Sequence, residues 1–256
     1  MMSQIRIAVD ADNMLGRQFR ELERQNLAFA VMQACNATAF DIRQQWEATA
    51  GRVFDRPTRM TQRAAQYRKA TKSKLFAEVY LRDEASNGTP PAKYLLPQVD
   101  GGTRRKKGFE VLLQQRGAMP PGMFAVAGDG ADLDQFGNVR PRQVSQILSQ
   151  LGARQDALQN QTDTSKARRR SKRRRGGEYF ALQVQRGKLR PGIYERIATA
   201  WGSAVRSVFI FTRAANYTPR YNIFGLAQRA WDKLMPFHFN RELSKALETS
   251  KYRGRS

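Results

Sequence analysis

Leu27-Ala-Phe-Ala-Val31-Met-Gln-Ala34-Cys35-Asn-Ala-Thr38-Ala-Phe-Asp-Ile42-Arg-Gln-Gln-Trp46 carries the strongest structural signal in the chain. Leu27, Val31, Ala34, Thr38 and Ile42 recur every three or four residues, and Trp46 continues the stripe. That spacing is the period of one helix face turned toward a core. A helix is expected from about Glu21 to Ala50, closed by Gly51, with Arg56-Pro57 disfavouring its continuation. Upstream, Ile5, Ile7 and Val9 alternate as an opening strand does.

Downstream, Gln62 to Lys69 reads as a short helix. Leu75 to Arg82 alternates cleanly, with Leu75, Ala77, Val79 and Leu81 on one face, as in a half-buried strand. Asn87-Gly88-Thr89-Pro90-Pro91 breaks it. A short helix at Phe109 to Arg116, a strand at Met123 to Ala127 and a helix at Val144 to Leu151, introduced by Pro141, follow. Residues 152 to 177 interrupt the pattern. Strand character returns at Glu178 to Gln185, Ile193 to Ala198 and Val205 to Thr212. In the last, Val208, Ile210 and Thr212 alternate with Phe209 and Phe211, so both faces are expected to be covered. Phe224, Ala227, Ala230, Trp231, Leu234, Phe237, Leu243, Ala246 and Leu247 mark a closing helix that Pro236 should kink or divide. The layout is α+β: a long N-terminal helix, a mixed, mainly antiparallel sheet and a C-terminal helix. It is expected as one domain over 1–256, with 117–177 as an insertion bearing a flexible basic arm at about 163–177.

Charge is the loudest feature of the composition. Forty-five Lys and Arg against 22 Asp and Glu leave a net +23 in 256 residues. Self-repulsion of that size opposes compaction unless anionic neighbours are close, which points to nucleic acid, an acidic protein surface or an anionic membrane. One cysteine, Cys35, excludes an intrachain disulfide and a thiolate cage for zinc, and its helical apolar setting reads as a small buried hydrophobe. No apolar run approaches the ~20 residues of a bilayer span. Met1 to Asp12 lacks the basic-then-apolar pattern of a signal peptide, so synthesis in the cytosol is expected.

Eight of the ten residues from Lys166 to Arg175 are cations: Lys166, Arg168, Arg169, Arg170, Lys172, Arg173, Arg174 and Arg175. No core can be built from them, and with no aromatic interleaved they suit phosphate backbone or acidic protein neighbours rather than stacked bases. A second cluster, Arg104, Arg105, Lys106 and Lys107, is a further candidate for anion contact. Catalytic signals are weak. Asp10 and Asp12 after Ile7-Ala-Val resemble the opening of PIN-like nucleases, but no later strand-end Asp supplies a partner ligand. Gly128-Asp129-Gly-Ala-Asp132-Leu-Asp134 is similar to a calcium loop, yet Ala131 and Leu133 occupy ligand positions and no closing Glu follows, so a polar hairpin or surface loop is favoured. His238, the lone histidine, lies between Phe237 and Phe239 and reads as a packing or helix-end residue rather than a catalytic one. No nucleophile elbow, phosphate loop or dinucleotide fingerprint occurs. The expectation is no enzyme, no cofactor and no metal.

Three stretches, in order, resemble the phage minor tail protein Z and tail-completion family. They are Ala34-Cys-Asn36-Ala-Thr38-Ala39 running into Val53-Phe54-Asp55-Arg56-Pro57-Thr58; Tyr94-Leu-Leu-Pro97-Gln-Val-Asp100-Gly101-Gly102-Thr103-Arg104; and Ile193-Tyr194-Glu195-Arg196 with Val208-Phe209 and the closing Ala246-Leu247. The resemblance covers about two thirds of the chain, and 117–177 departs from it. It implies a non-catalytic, ring-forming virion protein at the tail or head-tail junction, made in the host bacterial cytoplasm. Its partners would be further copies of itself, other tail or connector proteins, and phage DNA met without sequence specificity. Phe54, Asp55, Arg56 and Pro57, with Pro97, Gly101 and Gly102, are candidate assembly arms, Pro97 and the glycines shaping an extended segment; ordinary intrachain turns explain them equally well. The alternative function is a stand-alone, sequence-independent nucleic-acid-binding protein.

Overall fold

A computed structural model describes residues 4–8, 21–86, 88–171, 177–199 and 202–253. In chain order the first elements are β1 (Gln4–Ala8), α1 (Glu21–Val53), α2 (Arg59–Gln62), β2 (Ala65–Arg68), β3 (Phe76–Leu81) and α3 (Pro91–Asp100). Next come β4 (Gly102–Thr103), α4 (Gly108–Gln115), β5 (Phe124–Ala127), α5 (Pro141–Gln150), a 3-10 turn (Ala157–Gln159) and α6 (Asp163–Ser171). The last are β6 (Glu178–Leu182), β7 (Gly192–Thr199), β8 (Gly202–Thr212), β9 (Asn216–Tyr217) and α7 (Ile223–Arg253). The α+β class with long helices near both ends is thus realised. Every described strand pair is antiparallel, not mixed. In place of the single domain expected, the chain divides into two compact units: one formed by the segments up to Gly101 and from Thr218 on, the other Gly102–Tyr217.

In the first unit the helical stripe is the core. Ala34, Cys35, Thr38, Ile42 and Trp46 are all fully buried. They pack with Ala77 and Val79 of β3 and with Ile223, Ala227 and Ala230 of α7. The sheet order is β1-β3-β2, with Ile5 and Tyr67 both opposite Val79. α1 does not stop at Gly51. The Phe54 amide still donates to the Ala50 carbonyl at 3.1 Å, and the chain turns only where Arg56 takes φ 44° ahead of Pro57. The helix expected at Gln62 to Lys69 is instead one turn capped by Thr58, followed by β2; ladder pairing with β3 overrides a weak local helical pattern. Pro236 does not divide α7, because it sits on the exposed side, where water can serve the carbonyl that proline leaves unbonded.

In the second unit a four-stranded sheet, β5-β8-β7-β6, packs with α4 and α5, and the β4–β9 pair joins its two ends. Its core holds Leu113, Met119, Ala125, Ile147, Leu148, Tyr179, Ile193, Val208 and Phe209. Val208 and Phe209 are adjacent and both buried, so β8 is covered on both faces there, as its sequence indicates. Residues 117–177 are not an insertion outside a core. Met119, Ala125, Ile147, Leu148 and Ala153 come from that stretch and supply much of this one.

The β7–β8 ladder slips by one residue between Ile193 and Tyr194, a bulge made possible by close approach at Gly192. A Cβ at Gly192 would lie 2.3 Å from the Phe209 carbonyl oxygen. Gly192→Ala is therefore expected to lower the stability of this unit by about 1–3 kcal/mol through forced separation of the two strands. Faster amide exchange along β7 and β8, with first-unit amides unchanged, is the measurement that checks it.

Candidate functional site

The basic run begins on a helix whose start is fixed. The Thr162 amide donates to Ser165 Oγ at 3.0 Å, and the Ser165 amide donates to Thr162 Oγ1 at 3.2 Å, a reciprocal cap for α6. The preceding loop is tied to α5, with Ser149 Oγ donating to the Gln159 carbonyl at 2.9 Å and the Gln161 amide to the Ser149 carbonyl at 3.0 Å. Part of the expected flexible arm is thus helix on an anchored base. Lys166 is exposed on it, and no described residue from Thr162 to Ala167 is buried. The backbone of Arg168, Arg169 and Arg170 continues the helix, while Lys172, Arg173, Arg174 and Arg175 lie outside the described residues.

The second cluster does not act as one patch. Arg104 turns inward and holds Glu110, which is fully buried, through two bonds: Nη1 to Oε2 at 2.9 Å and Nη2 to Oε1 at 2.5 Å. Arg104 Nη2 also donates to the Ala125 carbonyl at 3.2 Å, and its guanidinium lies 5.0 Å from the Phe124 ring centroid. Glu110 accepts two backbone amides as well, from Lys107 at 2.6 Å and Ala125 at 2.7 Å. Burial by itself pushes the Glu110 carboxyl upward; the Arg104 guanidinium and the two amides outweigh it and hold the group below the ordinary carboxylate range. Arg104 is therefore a structural cation, engaged by Glu110 rather than presented to an outside anion. Arg105, Lys106 and Lys107 stay exposed, with Lys106 Nζ donating to Gln114 Oε1 at 2.7 Å.

Of the candidate arms, Phe54 is brought beside the helix that holds Pro97, in the first unit. The Phe54 ring packs edge-on against Tyr221 at 5.4 Å, and the Arg220 guanidinium lies 5.1 Å from the Phe54 centroid. Arg220 Nε donates to Gln98 Oε1 at 2.6 Å, and the Arg220 and Tyr221 amides donate to the Gln98 carbonyl at 2.9 and 3.0 Å. Tyr221 completes the junction by donating from its hydroxyl to the Trp46 carbonyl at 2.9 Å. Phe54 of the first motif and Gln98 of the second are thus linked within the first unit by Arg220 and Tyr221. Asp55 and Arg56 pair locally at 3.1 Å, as their adjacency suggests, and Pro57 leads into the α2 cap. Pro97 lies inside α3, so the extended segment expected around it is a helix; Gly101 and Gly102 follow its end with φ 79° and 94°.

The residues weighed for chemistry have structural work. Asp134 Oδ1 accepts from the Phe136 and Asn138 amides at 2.9 Å each, forming the turn of a small hairpin bridged at Leu133 and Val139. The glycine before it lets the loop lie on β8: a Cβ at Gly128 would stand 2.6 Å from Ser207 Oγ. A polar cleft of about 490 Å³ lies beside this loop, lined by Asp129, Asp132, Arg142, Gln143 and Arg206 among others. Its charges are largely answered, Arg206 by buried Glu195 at 2.7 Å and Asp132 by Arg140 at 3.1 Å. His238 is buried, its Nε2 2.7 Å from Asp41 Oδ2, which joins α7 to α1. Cys35 is buried and its thiol is pushed up to about 11 by that burial. Asp10 and Asp12 lie outside the described residues. Among the described residues no three metal-binding side chains converge, and no helix is long and apolar enough to cross a membrane.

No protein-family model, curated protein or solved structure matches the chain.

Proposed function

We propose that this chain is a structural subunit of a tailed-phage particle, a ring component of the tail-completion or head-tail region. It works by assembly and by charge rather than by breaking bonds. The observation that carries the reading is the placement of the positive charge. Net +23 is concentrated in part in a run of eight cations, Lys166 to Arg175, whose described start lies on an anchored helix with no buried residue from Thr162 to Ala167. So dense a run of cations, on a chain this basic, favours acidic neighbours and packaged DNA held through its backbone. The resemblance at 53–58 and 94–104 supplies the particle and the place. The same run also supports a second reading, a stand-alone protein that coats nucleic acid without reading sequence.

Mass measurement separates the two. A ring subunit forms a discrete high-order oligomer, alone or in the particle, and a low-resolution map with the chain located places it near the head-proximal end of the tail. A chain that stays monomeric while binding DNA fits the second reading. One that stays monomeric and ignores both DNA and phage components removes both.

A further inference from the structure

Two tight turns, one in each unit, present cations that no described acidic side chain answers. In the second unit the segment between β6 and β7 closes at Arg186 and Leu189, each amide donating to the other's carbonyl at 3.0 Å. Gly187 takes φ 56° in the turn and has open space around it. Arg186, Lys188 and Arg190 are exposed. In the first unit the β2–β3 connection closes in the same manner. The Thr71 amide donates to the Lys74 carbonyl at 2.9 Å and the Lys74 amide returns the bond at 3.1 Å. Lys69, Lys72 and Lys74 are exposed there, beside the Thr71 and Ser73 hydroxyls.

Local sequence leaves these cations unneutralised. No Asp or Glu stands between Asp55 and Glu78, nor between Glu178 and Glu195. The flanking carboxylates are engaged by other arginines: Glu78 by Arg68 at 3.2 Å, Glu178 by Arg196 at 3.8 Å and Glu195 by Arg206. Each turn is held by paired backbone bonds, so its side chains are presented from a fixed frame.

We infer that both turns are contacts for the phosphate backbone of duplex DNA, separate from Lys166 to Arg175. The inference takes its partner from the polyanion reading above, while its residues stand on their own geometry. Lysine supplies four of the six cations (Lys69, Lys72, Lys74 and Lys188), and lysine is depleted in the centres of protein–protein interfaces. Lysine, arginine, small hydroxyls and backbone amides are what meets phosphate. Neither turn carries an aromatic side chain on which an unpaired base could stack, which favours duplex over single strand.

The test uses the full chain, a 30-base-pair duplex of arbitrary sequence, and two charge-removed variants. These are Lys69→Gln/Lys72→Gln/Lys74→Gln and Arg186→Gln/Lys188→Gln/Arg190→Gln. Each neutralised phosphate contributes a slope of about −0.9 to log K against log salt. Each variant is expected to flatten the slope by about 2–3, equally on unrelated sequences, with thermal unfolding unchanged. If the parent binds duplex but neither variant alters the slope, the inference fails and the arginine run alone carries the contact. Loss of binding to polyglutamate with an unaltered DNA slope assigns the turns to acidic protein and overturns it too. A parent chain that binds no duplex at low salt removes the DNA contact from both this inference and the proposed function.

Discussion

An Arg104→Ala chain is expected to lose about 3–5 kcal/mol of stability in its second unit, the usual consequence of breaking a buried ion pair by removing one partner. Glu110 is fully buried, and the Arg104 side chain is only 11% exposed. Alanine at 104 leaves the carboxylate with two backbone amides and no cation. It also removes the bond to the Ala125 carbonyl and the guanidinium beside Phe124. The damage is confined to the α4–β5 junction, so exchange of the Ala125 and Lys107 amides should accelerate first, while amides of α1 and β3 keep their protection. Charge state gives a second check. In the parent the folded carboxyl titrates below its unfolded value of about 4.3. Its contribution is fully present above that value and is lost as pH falls through the lower, folded one. Protonated Glu110 needs no guanidinium, so the gap between parent and variant should narrow on acidification. A gap that is constant from pH 7 to pH 3 would mean that Arg104 acts through packing alone.

This junction also shows where sequence reading stops. Arg104 stands in a run with Arg105, Lys106 and Lys107, and nothing in the run distinguishes the one cation that turns inward. The available signal was Glu110, three residues past Lys107 at the start of a helix, where a carboxylate reaches back to the cap amide. Periodicity served well where one element faces one core: the stripe from Leu27 to Trp46 and the alternation from Leu75 to Arg82 both lie where expected. It failed where a distant partner decides. Tyr67 belongs to a strand because Val79 pairs with it, and Pro97 belongs to a helix that Pro91 starts in the favourable first position. Two units instead of one follow from Met119 and Ile147 joining a core whose other residues lie up to Phe211, a long-range contact that local pattern does not encode. The turn at Arg186 to Leu189 was legible in principle, since a glycine in a two-residue loop between apolar segments marks a hairpin. The basic run was plain in the sequence, and its helical, capped beginning was not, because Thr162 and Ser165 read equally well as loop residues.

Replacing the eight cations of Lys166 to Arg175 by glutamine, at constant length, should have the largest effect on polyanion binding of any change in the chain. If all eight meet phosphate, about 0.9 units of slope for each contact amounts to a loss of about 7 from the dependence of log K on log salt. Proteins with 6–10 such contacts lose about 10³–10⁵ in affinity between 50 and 200 mM salt. The parent should therefore release duplex steeply over that range, and the neutral version should bind more weakly, with only the shallower slope that the two turns supply. Stability should hardly move, because Lys166 is exposed at the described start of the run and the helix cap at Thr162 and Ser165 is retained. Relief of self-repulsion in a chain at +23 works in the same direction. The two measurements divide the possibilities. Flattened binding with intact unfolding identifies an anion-seeking segment carried by the fold. Collapse of the second unit would show that the arginines hold the structure itself, and the charge would then need a partner inside the chain rather than outside it.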